Sequence, residues 1–185
     1  MADVHVRPAR PEDAAEIARI QLSTWRTAYQ RLVPESVLSR VGEELATAQW
    51  ETAIASPPSR DHRVLVAQEA QWRVGFAAFG PVEAGEPPSE TGPAVEITTL
   101  LVEPRWGRRG HGSRLLAAVA ELATAAGYTT AVAWVLAGDS ASLAFYRSAG
   151  WEPDGTGRAM DMDGTTVHEI RLHASLLGDP EEELP

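Results

Sequence analysis

Two spacings of apolar residues divide the chain into segments. Apolar residues that alternate with polar ones, or that form short unbroken runs, indicate strands, whereas spacings of three and four indicate helices. The clearest helix spans 110–126, and the clearest strand, VEITTLLVE, fills 95–103 just before it. One face of that helix holds six apolar residues: Leu115, Leu116, Val119, Leu122, Ala123 and Ala126.

The same patterns predict the remaining elements. Predicted strands occupy 4–7, 63–68, 72–79, 129–136, 158–163 and 166–172. Predicted helices start at Pro11 and fill 35–41, 43–55 and 140–149. Residues 80–94 are rich in Gly, Pro and Glu, which predicts a flexible loop.

The order of these elements predicts the fold class. A strand, a helix and a second strand follow one another from 95 to 136, and such a unit normally pairs its two strands in parallel. The short connections elsewhere favour antiparallel hairpins, including one that turns at Asp163-Gly164. We therefore expect an α/β protein with a mixed, mostly antiparallel sheet of about seven strands and flanking helices. It should form a single domain over 1–177, followed by an acidic tail at 178–185.

Composition narrows the function classes. The 185 residues carry a formal net charge of −10, which argues against a protein that binds nucleic acid by neutralising phosphates. No apolar run approaches the ~18 residues of a membrane-spanning helix. The first residues lack the basic-then-apolar order of a signal peptide, so a cytoplasmic location is expected.

Metal and thiol chemistry find little support in the sequence. The chain has no cysteine, which excludes disulfides, thiolate metal sites and a cysteine nucleophile. Its five histidines do not cluster along the chain. We therefore predict no metal site.

A glycine-rich segment, VEPRWGRRGHGSRLL, joins the clearest strand to the clearest helix. A helix N-terminus offers unpaired N–H groups and a positive dipole end, and glycines let an anion approach the backbone closely. Gly107, Gly110 and Gly112 supply that freedom, and Arg108 and Arg109 add positive charge. The pattern alone also fits an ordinary tight connection. A dinucleotide loop would normally follow the first strand of a domain, and a Walker loop would need GK[ST], which this sequence does not contain.

Three segments together resemble the GNAT superfamily of acyl-CoA-dependent N-acetyltransferases. The first is LLVEPRWGRRGHGSRLL, which is similar to the family's strand, Gly-rich loop and helix. The second is GDSASLAFYRSAGW, and the third is the opening RPARPEDAAEIARIQLSTWRTAY. The resemblance extends from about Val4 to Leu176. Gly107 stands where the family usually has Arg or Gln, Asp139 where Asn is commoner, and Trp151 where Phe is usual.

The resemblance implies how acetyl-CoA would be held. Asp139 would lie near the cofactor, and a backbone N–H near Leu101 would stabilise the developing oxyanion. Three residues at the strand end would pair with the pantetheine arm: Leu100, Leu101 and Val102. Backbone amides of the loop would hold the pyrophosphate: Arg108, Arg109, Gly110, His111, Gly112 and Ser113.

The resemblance also suggests catalytic residues. Tyr146 is the candidate general acid for the leaving thiolate, although a tyrosine at this spacing also fits simple packing. Glu96, which interrupts an apolar strand, is the candidate general base, directly or through a water. Its alternative role is that of a solvated residue at the start of a strand. Trp25 and Tyr29, four residues apart, would line the acceptor pocket, or else form a structural cluster.

The sequence therefore predicts an enzyme that transfers an acetyl group from acetyl-CoA to a primary amine of a small molecule or peptide. Members of this superfamily often pair as homodimers. Two alternatives remain at this level. One is a domain that binds acyl-CoA without turnover, and the other is a transferase for a different acyl chain.

Overall fold

The computed structural model describes residues 4–83 and 92–177. Five α-helices are present in these ranges: α1 (Ala14–Ala28), α2 (Glu35–Leu38), α3 (Glu43–Ala55), α4 (His111–Ala125) and α5 (Ser140–Ser148). Seven strands are present: β1 (Val4–Pro8), β2 (Arg63–Glu69), β3 (Trp72–Pro81), β4 (Ala94–Val102), β5 (Thr130–Leu136), β6 (Glu152–Met162) and β7 (Thr165–Ser175). Short 3-10 turns precede α1 and α4.

The strands form one mixed sheet in the order β1-β2-β3-β4-β5-β7-β6. Only β4 and β5 pair in parallel among the described strands, and the other neighbours are antiparallel. The predicted fold class is thereby confirmed, including the parallel unit around α4. The closing hairpin turns at Asp163 and Gly164, both with positive φ, as the sequence predicts.

Helices cover both faces of the sheet. On one face, α4 and α5 pack over a large apolar cluster that includes Leu65, Val95, Ile97 and Leu115. On the other face, α1 and α3 cover a second cluster around Ile17, Ile20, Val66 and Phe76. Neighbours along a strand belong to different clusters because successive side chains point to opposite faces.

Some predicted boundaries are wrong. The predicted loop 80–94 overlaps β3, which continues to Pro81, and β4, which begins at Ala94. Strand β6 begins at Glu152, six residues before the predicted start at 158. The helix predicted at 35–41 ends at Leu38. Residues 84–91 of the predicted loop and the predicted acidic tail, 178–185, lie outside the described residues.

The parallel strands β4 and β5 separate part-way along their length. Their register runs from Ala94 opposite Thr130 to Ile97 opposite Ala133, and no further pair joins the two strands in the described structure. At this point Thr98 is an extra residue relative to β3, where Ala78 pairs with Thr99 and Phe79 with Ile97. Such a bulge bends a strand and disrupts its ladder. The result is a gap in the middle of the sheet.

A buried carboxylate ties the start of α1 to the sheet. The Asp13 side chain is fully buried, and it accepts hydrogen bonds from Arg7 at 2.7 and 2.9 Å, from Arg73 at 2.9 Å and from the Arg10 N–H at 2.9 Å. Burial alone would raise the pKa of Asp13, but these hydrogen bonds outweigh it and hold that pKa well below its usual range.

Replacing Asp13 with Asn is expected to lower the free energy of unfolding by about 3 kcal/mol, because Arg7 and Arg73 would lose their counter-charge. Urea denaturation at neutral pH measures this loss. Since the pKa is depressed in the folded state, the carboxylate stabilises the fold above its unfolded pKa of about 3.9, and this benefit disappears as the pH falls below that value.

The matched control is Glu12→Gln. Glu12 is exposed and lies 3.8 Å from Arg10, so its loss should cost under about 0.5 kcal/mol. Equal stability losses for the two variants at neutral pH, or a difference between them that does not shrink as the pH falls from about 7 to about 2, would contradict the role given to Asp13.

None of the helices within the described ranges is long and apolar enough to cross a bilayer.

Candidate active site

A cavity of about 270 Å³ opens where β4 and β5 separate. Its walls come from α1, the segment around α2, both separated strands, α5 and the β6–β7 hairpin. Six of the residues proposed from the sequence line it: Trp25, Tyr29, Leu100, Leu101, Asp139 and Tyr146. The fold thus brings residues from distant parts of the chain to one opening.

The edge of β4 that faces the gap carries backbone groups with no neighbouring strand. The Glu103 N–H donates to the Val74 carbonyl at 2.9 Å, on the β3 side. Because alternate residues of a strand direct their N–H and C=O groups to the same side, Leu101 also faces β3. We infer that Leu100 and Val102 present their backbone groups to the gap. An extended ligand can add to such an edge as a further strand.

Ion pairs with Glu103 hold the loop after β4 in place. The buried Glu103 accepts hydrogen bonds from Arg19 of α1 at 2.8 Å and 3.3 Å, and its carboxylate lies 3.0 Å from Arg105. The Arg19 hydrogen bonds lower the pKa of Glu103, and burial opposes them. Arg108 and Gly110 both take left-handed conformations, with φ of 64° and 79°. The loop is therefore a defined structure that turns the chain sharply into α4.

Two side chains of the loop bind Glu69 at the end of β2. Nε2 of the buried His111 lies 2.9 Å from Oε2 of Glu69, and the Arg109 guanidinium lies 3.3 Å from Oε1. Arg109 also stacks over Trp106, 4.9 Å from its ring centroid. Trp106 thus packs against Arg109 and the apolar cluster under α4. Because Glu69 partly offsets the charge of Arg109, the backbone of the loop is left as the principal anion-binding feature.

The first turn of α4 supplies that backbone. The backbone N–H of Arg114 donates to the Gly110 carbonyl at 3.1 Å. The backbone N–H groups before it lie in the first turn of the helix, where no carbonyl of the helix can accept from them. Gly112 faces α5 closely: a Cβ there would lie 3.1 Å and 3.2 Å from the Phe145 ring and 3.9 Å from a methyl group of Leu100. The space between α4, α5 and β4 therefore depends on a glycine at this position.

Helix α5 places Asp139 and Tyr146 at the cavity. Asp139 caps the helix by accepting from the Ser142 N–H at 3.0 Å and the Ser142 hydroxyl at 2.6 Å. Tyr146 is buried and packs against Trp151, with ring centroids 4.9 Å apart. Burial, together with the nearby Tyr29, raises the pKa of Tyr146. Its phenol therefore stays protonated at physiological pH.

Trp25 and Tyr29 lie together in the cavity wall formed by α1 and the residue that follows it. Burial, together with the negative charges of Asp139 and Glu169, raises the pKa of Tyr29 to about 12. The wall thus combines aromatic surface with negative charge.

Glu96 occupies a neighbouring cavity. It lines a space of about 400 Å³ beneath α3, together with Trp50, His62 and Arg158, and not the cavity of Tyr146. Thr98, the bulged residue of β4, lines both spaces. The structure therefore separates the two predicted catalytic residues by the wall at Thr98.

Sequence reasoning missed two residues that line the cavity and a third beside them. Trp134 on β5 lines it, and so does Glu169 on β7. Arg158 on β6 joins them, with Nε 2.6 Å from Oε2 of Glu169 and its guanidinium 4.2 Å from the Trp134 ring centroid. A signal was present: a turn at 163–164 sets Arg158 opposite Glu169 in the hairpin, which pairs opposite charges.

Across residues 4–83 and 92–177, no group of three or more His, Asp or Glu side chains comes together in a way that could hold a metal ion.

Known proteins that are similar to this chain in sequence or in fold are acetyltransferases. The model of the acetyltransferase (GNAT) family matches residues 19–151. The uncharacterized N-acetyltransferase YuaI of Bacillus subtilis (strain 168) is 27% identical over 179 residues, which cover 96% of this chain and 94% of YuaI.

Two solved structures show the same fold. YncA from Salmonella typhimurium, solved with its cofactor acetyl-CoA, superposes with a TM-score of 0.70 at 20% identity, covering 96% of each chain. The PaiA N-acetyltransferase from Thermoplasma acidophilum, in complex with coenzyme A, gives a TM-score of 0.70 at 16% identity, covering 94% of this chain and 99% of PaiA.

Proposed function

Since the chain belongs to the acetyltransferase (GNAT) family, we propose that it transfers an acetyl group from acetyl-CoA to a primary amine by direct attack in a ternary complex. The observation that supports this most is the common cavity: the buried Tyr146 and the open edge of β4 line one space. A group that protonates a leaving thiolate and a surface that holds an extended arm are both needed for this reaction.

The residues present fit a coenzyme A molecule. Its pyrophosphate would bind the backbone amides from Arg108 to Ser113, where the helix dipole and unpaired N–H groups favour an anion. Its pantetheine arm would lie along Leu100 to Val102, which places the thioester near Thr98 and Tyr146. YncA, solved with acetyl-CoA, and PaiA, solved with coenzyme A, share this fold, which supports a coenzyme site here.

The reaction requires several proton transfers, and each is proposed to involve a particular residue. An amine arrives as an ammonium ion and must lose one proton before its nitrogen can attack the thioester carbonyl. As the C–N bond forms, the N–H of Leu100 or Val102 on the gap side stabilises the negative charge on oxygen. As the C–S bond breaks, the Tyr146 hydroxyl protonates the sulfur. The Tyr146 phenolate then takes one of the two protons on the nitrogen, which leaves an amide and the free thiol.

Glu96 is proposed to accept the first proton through a water molecule. Its cavity adjoins the site at Thr98, so a direct contact with the amine is the less favoured arrangement. A carboxylate that acts through one water satisfies the distance that general base catalysis requires.

A domain that only binds acyl-CoA is the second candidate, because Gly107 and Asp139 depart from the family pattern. Release of free thiol from acetyl-CoA, measured across a panel of amines and peptides, separates the two. We expect amine-dependent release for at least one acceptor, and mass spectrometry should show that acceptor heavier by one acetyl group. Binding of acetyl-CoA with no release across the panel would favour the second candidate.

A further inference from the structure

We propose that the acceptor is a monoamine with a flat, apolar body, and that Glu169 holds its ammonium group. The inference rests on the proposed acetyl transfer and concerns the half of the cavity that the coenzyme would leave open. Glu169 is thus proposed as the residue that binds this class of substrate.

The open half of the cavity is predominantly apolar. If the coenzyme arm occupies the side of β4 and α5, the remaining walls come from α1, the segment around α2, β5 and the β6–β7 hairpin. Seven aromatic or aliphatic residues form these walls: Trp25, Tyr29, Val33, Val37, Leu38, Trp134 and Met162. Surface of this kind favours an apolar ligand, and three of the seven residues are aromatic and suit a flat ring.

Glu169 is the carboxylate of this half. Its side chain is 14% exposed, and its negative charge is one cause of the raised pKa of Tyr29. Asp139, the other carboxylate of the cavity, caps α5 through Ser142 and lies on the side given to the coenzyme arm. A carboxylate has about four acceptor positions, so the bond from Arg158 to Oε2 leaves Glu169 able to accept from an ammonium.

Arg158 fixes the direction of that carboxylate. Its guanidinium carbon lies 4.2 Å from the Trp134 ring centroid, and its Nε lies 2.6 Å from Oε2 of Glu169. Arg158 lines the neighbouring cavity of Glu96, and its positive charge lies directly beside Glu169. This charge offsets that of Glu169 when no ligand is bound, and it disfavours a ligand that carries two positive charges.

The far end of the apolar half is bounded by a contact between α2 and the β6–β7 hairpin. Asp163 at the tip of the β6–β7 hairpin accepts from the Ser36 hydroxyl at 2.5 Å and pairs with Arg40, which holds the hairpin against α2. Val37, Leu38 and Met162 lie around this contact and line the cavity. A second ammonium there would lie against the apolar side chains of Val37, Leu38 and Met162, with the nearby Asp163 carboxylate already engaged by Ser36 and Arg40. A single ring fits a cavity of about 270 Å³ that is shared with the coenzyme arm.

The first test compares acceptors on the wild-type protein. With acetyl-CoA saturating, kcat/KM is measured for 2-phenylethylamine, tryptamine, n-butylamine, putrescine and spermidine. We expect the two aromatic amines to exceed putrescine and spermidine by about tenfold or more. Equal or better activity with putrescine or spermidine would overturn the substrate class and leave acetyl transfer intact. If the protein binds acetyl-CoA and acetylates none of them, the substrate class fails, and the panel of amines and peptides then decides whether acetyl transfer fails with it.

The second test compares Glu169→Gln with Glu96→Gln, which change two carboxylates in the same way. Glu169→Gln should raise the KM of the aromatic amine by about tenfold and change kcat by less than about threefold, because it weakens binding of the ammonium. Glu96→Gln should lower kcat chiefly. Acetyl-CoA binding by calorimetry shows whether each variant is folded. An unchanged amine KM in a Glu169→Gln protein that binds acetyl-CoA would overturn the role of Glu169, and Glu169→Ala provides the same readout if the Gln variant does not fold.

Discussion

Replacing Tyr146 with Phe is expected to lower kcat by about tenfold or more and to leave the Kd of acetyl-CoA within about twofold. The substitution removes only the hydroxyl, while the ring that packs against Trp151 remains. The departing thiolate would then have to take its proton from water. Steady-state kinetics and calorimetry on the same preparation measure the two quantities.

Tyr128→Phe is the matched control. The Tyr128 hydroxyl donates to Asp61 at 3.1 Å and does not line the cavity, so its loss should leave kcat unchanged. A second readout is the pH profile. Because burial raises the pKa of Tyr146, the wild-type kcat should show no fall between about pH 8 and pH 10 from loss of the phenolic proton. Wild-type turnover in Tyr146→Phe would remove the general acid role.

Replacing Gly112 with Leu is expected to weaken acetyl-CoA binding by about 100-fold or more, because the side chain would fill the space between α4, α5 and β4 that the coenzyme needs. Even a Cβ at this position would lie 3.1 Å from the Phe145 ring. The far-ultraviolet circular dichroism should stay close to that of the wild type, since Gly112 lies in the first turn of α4 and outside the apolar cores.

Gly42→Leu serves as the control for this variant. Gly42 precedes the first turn of another helix, α3, with φ of −78° and no atom within 4 Å of a Cβ added there. Its Leu variant should bind acetyl-CoA as the wild type does. Full binding by a folded Gly112→Leu protein would show that the coenzyme does not pass through this space.

The fold could be predicted because each element carries a local signal. The apolar stripe of 110–126, the glycine at 127 and the Asp163-Gly164 turn each fix a boundary or a turn. Asp139 could be recognised as a helix cap from residue type and position alone. The order of strands and helices then leaves few topologies, since parallel connections are almost always right-handed.

The position of Glu96 could not be predicted because of a single residue. Simple alternation would put Glu96, Thr98 and Leu100 on one face of β4. The bulge at Thr98 changes the faces: Ile97 packs in the cluster under α4 and α5 before the bulge, whereas Leu100 packs against that cluster after it. A one-residue shift exchanges the two faces of a strand. Glu96 therefore faces α3 and not the side of Tyr146.

Arg158 and Glu169 could have been found from the hairpin register, but their function could not. The turn at 163–164 predicts that they pair, and an ion pair on a hairpin usually lies on the protein surface. Only the tertiary structure shows that Trp134 from a neighbouring strand lies under Arg158 and that a cavity opens beside them. The loop that carries Gly107 is anchored through Glu69 and Glu103, contacts that join residues far apart in the sequence.

Titration of acetyl-CoA into the protein by isothermal calorimetry tests the central claim most directly. We predict one binding site for each chain, with a Kd of about micromolar order, and loss of that site in Gly112→Leu but not in Gly42→Leu. No detectable binding at about 1 mM acetyl-CoA, or equal binding by both glycine variants, would contradict a coenzyme site at the gap between β4 and β5.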